Sequence, residues 1–381
     1  MPVVWTLSAV LHGYVAVRLL PEWLAWPAAA AALGALLLAQ ALLLPAGLRT
    51  LRRRADGRHA ALHWAGMIAL GALSSLVVLT LLRDAGLALA YALDALRPGT
   101  VALDAVSRTT AIAVPLLGAG ASAWGFVAAR RTARIVDVEI PIAGLPAAFH
   151  GFTIAQLSDV HVGPTIGRDR VRAMVEAVNR LDADAVAITG DLVDGGVGEL
   201  APHVEPLRML RSAHGTFFVT GNHEYYSGAH AWIDALRRMG LTVLMNEHAV
   251  LRRGGASLVL AGVTDWSADR FDPAHRSDPA AAIAGAPRDA AVRVLLAHQP
   301  RSAPAAEAAG FDLQLSGHTH GGQFLPWPWF VRLQQPFTAG LHRLGRLRVH
   351  VSRGTGYWGP PKRFGAPSEI TRVRLVPEGQ A

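Results

Sequence analysis

Five apolar stretches in the last two thirds of the chain each end in residues whose side chains commonly bind metal ions. The five groups are Ser158-Asp159-Val160-His161, Gly190-Asp191, Gly221-Asn222-His223-Glu224, Ala297-His298 and Gly317-His318-Thr319-His320. With His223 and Glu224 set aside, they supply two carboxylates, one amide and four imidazoles. This set matches the needs of two adjacent divalent cations that share one bridging carboxylate, and such a centre hydrolyses phosphate esters.

The residue types indicate how the ligands could be divided. Asp159 and His161 are two positions apart, so both can face one cation if the chain turns there. Asp191 follows a glycine that permits close backbone approach, and its carboxylate can bridge two cations. Asn222 offers a neutral oxygen. Imidazole nitrogens come from His298, His318 and His320. Mixed oxygen and nitrogen donors suit Mn, Fe or Zn, without choosing among them.

His223 has a different predicted role. It is adjacent to Asn222 and is not needed as a ligand, so we expect it to act on the leaving-group oxygen as a general acid or hydrogen-bond donor. The nucleophile would be a hydroxide that bridges the two metals. Asp191, Asn222 and His223 are therefore the predicted catalytic residues. The other histidines are interpreted as non-ligands: His12, His59, His63, His150, His203, His214, His230, His248, His275, His342 and His350.

The pattern around these groups predicts a layered α/β domain after Arg134, because short apolar runs alternate with amphipathic helical stretches. Strands are predicted at residues 135–142, 152–157, 185–189, 216–220, 258–263, 292–297, 313–315, 346–352 and 370–376, and helices at 169–181 and 230–239. Ligand sites in open α/β sheets collect at the carboxyl ends of strands. The five groups are therefore expected to meet in space.

The apolar composition of the first third of the chain predicts a membrane domain. Hydrophobic residues make up 51% of the chain and charged residues 17%, and the mean hydropathy is +0.29. Four spans are predicted at residues 3–20, 23–45, 63–82 and 109–128, each about long enough to cross ~30 Å of hydrocarbon. Residues 85–96 are interpreted as an interfacial or re-entrant piece. The expected domains are a transmembrane domain, 1–134, and a catalytic domain, 135–381. A cleaved signal peptide is the alternative for the first span.

The arginines that flank the spans predict the orientation, since basic residues favour the cytoplasmic side. Eight lie on one side: Arg49, Arg52, Arg53, Arg54, Arg58, Arg130, Arg131 and Arg134. Four lie on the other: Arg18, Arg83, Arg97 and Arg108. The catalytic domain is thus expected on the cytosolic side of the cytoplasmic membrane. The formal net charge of +8 does not require a nucleic-acid partner. Without cysteine, a thiolate metal site is excluded.

The ordered groups resemble the calcineurin-like metallophosphoesterase superfamily over residues 135–376. The resemblance implies a four-layer sandwich of two mixed β-sheets flanked by helices. It also implies that one metal binds Asp159, His161, Asp191 and His320, and that the other binds Asp191, Asn222, His298 and His318. The run Leu157–Gly163, the Gly-His-Thr-His-Gly-Gly-Gln run and Arg363-Phe364-Gly365 resemble its membrane-anchored bacterial branch. Some members of that branch are similar to UDP-2,3-diacylglucosamine pyrophosphatases of lipid A synthesis.

A membrane-anchored phosphoesterase is therefore expected, acting on a phosphodiester or pyrophosphate that could be lipid-linked. Four aromatic residues after His320, namely Phe324, Trp327, Trp329 and Phe330, suggest loops that face the bilayer. The first alternative is a phosphatase or nucleotide phosphodiesterase for soluble substrates that is merely tethered. The others are a non-catalytic scaffold, although no ligand is missing, and a transporter, which would need ionisable residues within the spans.

Overall fold

The computed structural model describes residues 2–50 and 57–379, and it divides into two compact units. One comprises residues 1–128 with 359–362, and the other comprises residues 129–358 with 363–381. The predicted orientation partly rests on arginines that lie outside the described residues. They are Arg52, Arg53, Arg54 and, for its side chain, Arg58.

The first unit is formed by four apolar helices. They are α1 (Pro2–Trp23), α2 (Pro27–Arg49), α3 (Gly57–Leu96) and α4 (Leu103–Arg130). Each is long and apolar enough to cross a membrane, as predicted. Leucines such as Leu36, Leu38 and Leu116 point outward and are more than half exposed. A helix that is apolar on its outer face as well as its inner face is suited to lipid rather than to water.

Two glycines set the crossing of α2 and α3. An added Cβ on Gly47 would lie 2.7 Å from Gly66 Cα, and one on Gly66 would lie equally close to Gly47 Cα. Any side chain at either position would push the backbones apart. Small residues at such crossings allow the close backbone packing that stabilises helix pairs in membranes.

The third helix is longer than predicted. Residues 85–96 continue α3 without a break, so they are not a separate re-entrant piece. Their interpretation as interfacial stays a prediction. The charged residues before this stretch suggested an end to the span, but Asp84 accepts a 2.8 Å hydrogen bond from Tyr14 and forms a 2.8 Å ion pair with Arg18. Because the carboxylate is paired within the unit, it does not interrupt the helix.

The second unit contains two six-stranded mixed sheets, which confirms the predicted fold. The first sheet has the order β1-β12-β2-β3-β4-β5 and the second β10-β11-β9-β8-β7-β6. The strands are β1 (Arg134–Ile142), β2 (Thr153–Leu157), β3 (Ala185–Thr189), β4 (Thr216–Val219), β5 (Thr242–Val243), β6 (Glu247–Arg253), β7 (Ala256–Gly262), β8 (Val292–Leu296), β9 (Leu313–Ser316), β10 (Gly340–Leu344), β11 (Leu347–Val351) and β12 (Glu369–Pro377).

The two sheets pack face to face, with helices on their outer faces. The helices are α5 (Arg168–Asn179), α6 (Val197–Val204), α7 (Asn222–Tyr226), α8 (Ala229–Arg238), α9 (Pro279–Ile283), α10 (Ala303–Ala308) and α11 (Trp327–Val331). The inner core joins Ile154 and Ala187 of the first sheet to Leu260 and Val294 of the second. Separate outer cores lie beneath the helices on each side. Because both of their faces are covered, the central parallel strands are largely apolar.

A buried polar contact joins the sheets near the ends of β2 and β9. Gln156 Nε2 donates to Thr189 Oγ1 and to the Ser316 carbonyl, each at 2.9 Å, and its Oε1 lies 3.0 Å from His350 Nδ1. Gln156 and His350 are almost fully buried. Breaking such a contact would leave buried polar groups unsatisfied, so it fixes the relative position of the strands that lead to the metal-type residues.

Candidate metal centre

The predicted ligands all follow the carboxyl ends of strands. Asp159, Asp191 and Asn222 follow β2, β3 and β4 of the first sheet, and His298 and His318 follow β8 and β9 of the second. Both sheets therefore contribute to one site, which lies where their strands end. This placement is the one expected from the alternation of apolar runs and metal-type residues.

The backbone at these positions is strained. Asp159, His161, Asp191, His318 and His320 all have φ between 50° and 70°, in the left-handed region that non-glycine residues rarely adopt. Only three other non-glycine residues in the described part of the chain have positive φ. Such conformations cost about 1–3 kcal/mol each and concentrate at functional sites. Five together indicate that the loops are shaped to present side chains.

Two glycines permit the loops to approach one another. A Cβ on Gly221 would collide with Asp191, and a Cβ on Gly317 would collide with Ser158 and Asp159. The glycines in the Gly-Asn-His-Glu and Gly-His-Thr-His motifs therefore make room for the two carboxylates.

One half of the site gathers Asp159, His161 and His320. His161 Nε2 lies 3.0 Å from His320 Nε2, and His320 Nε2 lies 3.5 Å from Asp159 Oδ1. All three side chains are buried. Ser158 Oγ donates to Asp159 Oδ2 at 2.6 Å, and the His318 amide donates to the same carboxylate. These contacts hold the carboxylate while its Oδ1 faces the imidazoles.

The other half gathers Asp191, His298 and His318. His298 Nε2 lies 3.1 Å from both Asp191 Oδ2 and His318 Nδ1. Asp191 Oδ2 is also 3.9 Å from His161 Nε2 in the first half. Asp191 therefore lies between the two groups, where a shared carboxylate is required.

These groups fit a metal ion. His298 Nδ1 is 2.8 Å from the Thr189 carbonyl, which can only accept, so Nδ1 carries a proton and Nε2 is the nitrogen that faces the site. Asn222 Oδ1 is a buried acceptor without a hydrogen-bond partner among the described residues. A buried polar atom without a partner is costly, and a cation would satisfy it.

The electrostatics of the site favour positive charge. Burial raises the pKa of Asp191, but His298 and His223 outweigh this effect and hold it well below the usual value. Burial lowers the pKa of His298, but Asp191 and Asp159 outweigh this effect and hold it well above the usual value. The buried carboxylates therefore attract cations into a place that is closed to bulk water.

His223 lies beside this centre, oriented by a residue that the sequence analysis missed. His223 Nδ1 is 2.6 Å from Asp194 Oδ1, and the same oxygen is 3.0 Å from His161 Nδ1. One carboxylate thus orients a predicted ligand and the predicted acid together. Burial lowers the pKa of His223, but Asp191 and Asp194 outweigh this effect and raise it to about 9. In the sequence, the feature that could have identified Asp194 as a site residue is its position three residues after Asp191.

Glu224 and Arg363 brace the loops. The fully buried Glu224 carboxylate accepts from the amides of Gly221 at 2.6 Å, Leu192 at 2.7 Å and Asp191 at 3.0 Å. It therefore ties the loop after β3 to the loop after β4. The buried Arg363 guanidinium donates to the carbonyls of His320 at 2.9 Å and Arg353 at 2.7 Å. Neither role was predicted, because each depends partly on backbone groups that are distant in sequence, those of Asp191 and Leu192 for Glu224 and that of His320 for Arg363.

Comparisons with known proteins agree with this geometry. Residues 152–322 match the family model of calcineurin-like phosphoesterases. A Danio rerio transmembrane protein with metallophosphoesterase domain is 36% identical over 276 residues, covering 70% of this chain and 63% of that protein. An uncharacterized metallophosphoesterase of Helicobacter pylori is 43% identical over 231 residues, 60% of each chain. Another from Aquifex aeolicus is 34% identical over 229 residues, 59% of this chain and 85% of that one. The chain spans less than two thirds of the first two relatives.

Asp194→Asn should lower kcat for aryl phosphodiester hydrolysis by about 10–100-fold with little change in KM, as expected for loss of an orienting partner. The loss should be greater with a phenyl than with a p-nitrophenyl leaving group, because a poor leaving group depends more on protonation.

Asp184→Asn is the matched control, because Asp184 also accepts hydrogen bonds, from Thr153, but has no contact with the site. Equal losses for both leaving groups would show that Asp194 is only structural.

Proposed function

Because this chain belongs to the calcineurin-like phosphoesterase family, we propose that it is a membrane-anchored phosphoesterase with a dinuclear metal centre. Residues 1–134 would be the anchor and residues 135–381 the catalytic domain. The observation that carries the proposal is the position of Asp191, whose carboxylate lies between two clusters of imidazoles and carboxylate. Four apolar helices and the relatives named as transmembrane proteins support membrane association.

The proposed ligands follow from the two clusters. One cation would be held by Asp159, His161, Asp191 and His320, and the other by Asp191, Asn222, His298 and His318. Support for the second set comes from the unpartnered Asn222 Oδ1 and from the 3.1 Å separations around His298 Nε2. Nitrogen and oxygen donors in these numbers suit Mn, Fe or Zn.

When bound, two such cations supply Lewis acidity and an activated water for attack on phosphorus. The chain's own contribution is to orient the ligands and to move a proton. His223 Nε2 lies 4.0 Å from Asp191 Oδ2, and its side chain is 14% exposed, so it borders the centre while remaining accessible to a substrate. With Asp194 at Nδ1, the ring would donate from Nε2 to the oxygen of the departing group.

An apolar surface in the second unit supports a substrate with a lipid part. Trp327 and Trp329 of α11 are 43% and 71% exposed, and Phe330 is 51% exposed. Trp358 is also exposed, and its ring centroid is 5.6 Å from that of His223. Clusters of exposed aromatic residues mark interaction sites, and tryptophan suits a membrane–water boundary. We infer a lipid-linked phosphodiester or pyrophosphate, for which UDP-2,3-diacylglucosamine is an example.

The side of the membrane is inferred from charge. The eight arginines on one side of the spans against four on the other favour a cytosolic catalytic domain. A substrate in the cytoplasmic leaflet would then lie on the same side of the membrane as the catalytic domain.

Asp191→Asn should reduce phosphodiester hydrolysis by the detergent-solubilised full-length protein by about 10³-fold, because the shared anionic ligand is lost. Chelation of the wild-type protein should produce a similar loss, and Mn²⁺, Fe²⁺ or Zn²⁺ should restore activity only in the wild type.

The control is Asp182→Asn, an exposed aspartate that also has a left-handed backbone, with φ of 47°, but does not adjoin the site. Full activity in metal-free wild type, or in well-folded Asp191→Asn, would contradict a catalytic metal centre.

Replacing both Trp327 and Trp329 with Ala should lower kcat/KM for a lipid-linked substrate by about tenfold or more, because each tryptophan can bury substantial apolar area against lipid. Turnover of bis(p-nitrophenyl) phosphate should be unchanged, since this small diester does not need the apolar surface.

Trp266→Ala serves as the control, because Trp266 is 41% exposed but lies in another loop. Equal losses on both substrates would contradict the lipid assignment and favour a tethered enzyme for soluble substrates.

A further inference from the structure

A second cluster of metal-type side chains lies in the phosphoesterase unit and shares no residue with the proposed dinuclear centre. It consists of His230 in α8, with Asp272 and His275 in the segment between β7 and α9. His230 Nε2 lies 3.0 Å from Asp272 Oδ2, and His275 Nε2 lies 3.8 Å from the same oxygen. The ligand-type atoms are all within 4.8 Å of one another.

Each partly buried member of the cluster is oriented by a contact on its far side. Asp272 Oδ1 accepts from the Ala274 amide at 2.9 Å, so Oδ2 is the oxygen that faces both histidines. His275 Nδ1 lies 3.0 Å from Tyr225 Oη, so its Nε2 is the nitrogen that faces Asp272. Contacts of this kind fix the orientation of metal ligands in proteins. The His230 side chain is 73% exposed and is free to adjust.

The ligand types and separations in this cluster suit a transition metal ion better than a simple ion pair between the aspartate and a protonated histidine. Bond lengths of about 2.0–2.1 Å to zinc place tetrahedral ligand atoms roughly 3.3 Å apart. The separations of His230 Nε2 and His275 Nε2 from Asp272 Oδ2, 3.0 and 3.8 Å, lie on either side of that distance. Two imidazoles and one carboxylate suit zinc better than calcium or magnesium, which prefer oxygen ligands.

We propose that His230, Asp272 and His275 form a separate binding site for a divalent cation of the zinc class, with the remaining coordination positions open to water. The site joins α8 to the segment around residue 272, which are more than 30 residues apart in sequence. This proposal reverses the sequence-based interpretation of His230 and His275 as non-ligands.

The contacts around the cluster indicate what binding would do. Tyr225 and Tyr226 both pack against Phe271, at centroid distances of 5.7 and 5.6 Å, and Tyr226 packs against His223 at 5.2 Å. Tyr225 and Tyr226 belong to α7, the short helix that also carries Asn222. A bound cation would therefore fix the segment that supports α7, which is a structural role.

The test is zinc stoichiometry in the full-length, detergent-solubilised protein after removal of metal and dialysis against Zn²⁺. His230→Gln should bind one zinc fewer per chain than the wild type. Because the His230 side chain is exposed, its replacement should not unfold the protein, so unfolding would not account for the lost zinc. His275→Gln should show the same deficit. Bound Co²⁺ should give a visible absorption spectrum that loses one component in both variants.

His342→Gln is the control, because His342 is a partly exposed histidine of the same unit that belongs to none of the clusters. Equal zinc content in wild type, His230→Gln and the control would overturn the proposal. The dinuclear centre is tested separately by Asp191→Asn. A zinc deficit in His230→Gln without any deficit in Asp191→Asn would support the separate site and contradict the paired one.

Discussion

The charge of two buried carboxylates determines how the rest of the second unit is arranged around the candidate metal centre. Asp159 and Asp191 are almost completely withdrawn from water at the ends of neighbouring strands, and burial alone penalises their charge. Positive charge must therefore be brought to them. Four imidazoles and one amide oxygen surround the pair, and the strained loops and the two close-approach glycines exist to hold them there. Cations shared across Asp191 would satisfy this arrangement.

The same requirement explains the layer of residues behind the ligands. Glu224 and Arg363 bind backbone groups of the site loops, so each loop is fixed by a partner from another part of the chain. Asp194 contacts the outer nitrogens of His161 and His223 through one oxygen, so the orientation of a ligand and of the proposed acid are coupled. The geometry of the proposed site is thereby fixed in advance, and such preorganisation is usually the largest contribution to electrostatic catalysis.

Much of this site could be predicted from sequence because the ligands follow apolar strands. Each predicted ligand lies next to such a run. The structure brings the six acidic and imidazole ligands together with His223, and Asn222 lies between two residues that adjoin Asp191. The central strands were found for the same reason: those buried on both faces are largely apolar. The edge strands β6 and β10 were missed because Glu247, His248 and Arg343 give them the composition of loops.

The features that could not be predicted from the sequence depend on contacts between residues that are far apart in the chain. Asp194 has a commonplace neighbourhood in sequence, and only the fold shows that it meets two histidines. His230 and His275 are 45 positions apart. No spacing rule links them, and their relation to Asp272 appears only when α8 packs beside the later segment. Residues 85–96 were predicted to be separate from the span at residues 63–82, whereas Arg18 and Tyr14 satisfy Asp84 and the helix continues.

The most direct measurement is the anomalous diffraction of crystals of the full-length protein loaded with Mn²⁺. The account predicts two anomalous peaks about 3.5–4 Å apart, one on each side of the Asp191 carboxylate. A single peak at this carboxylate, or ordered metal bound only elsewhere, would contradict the dinuclear centre.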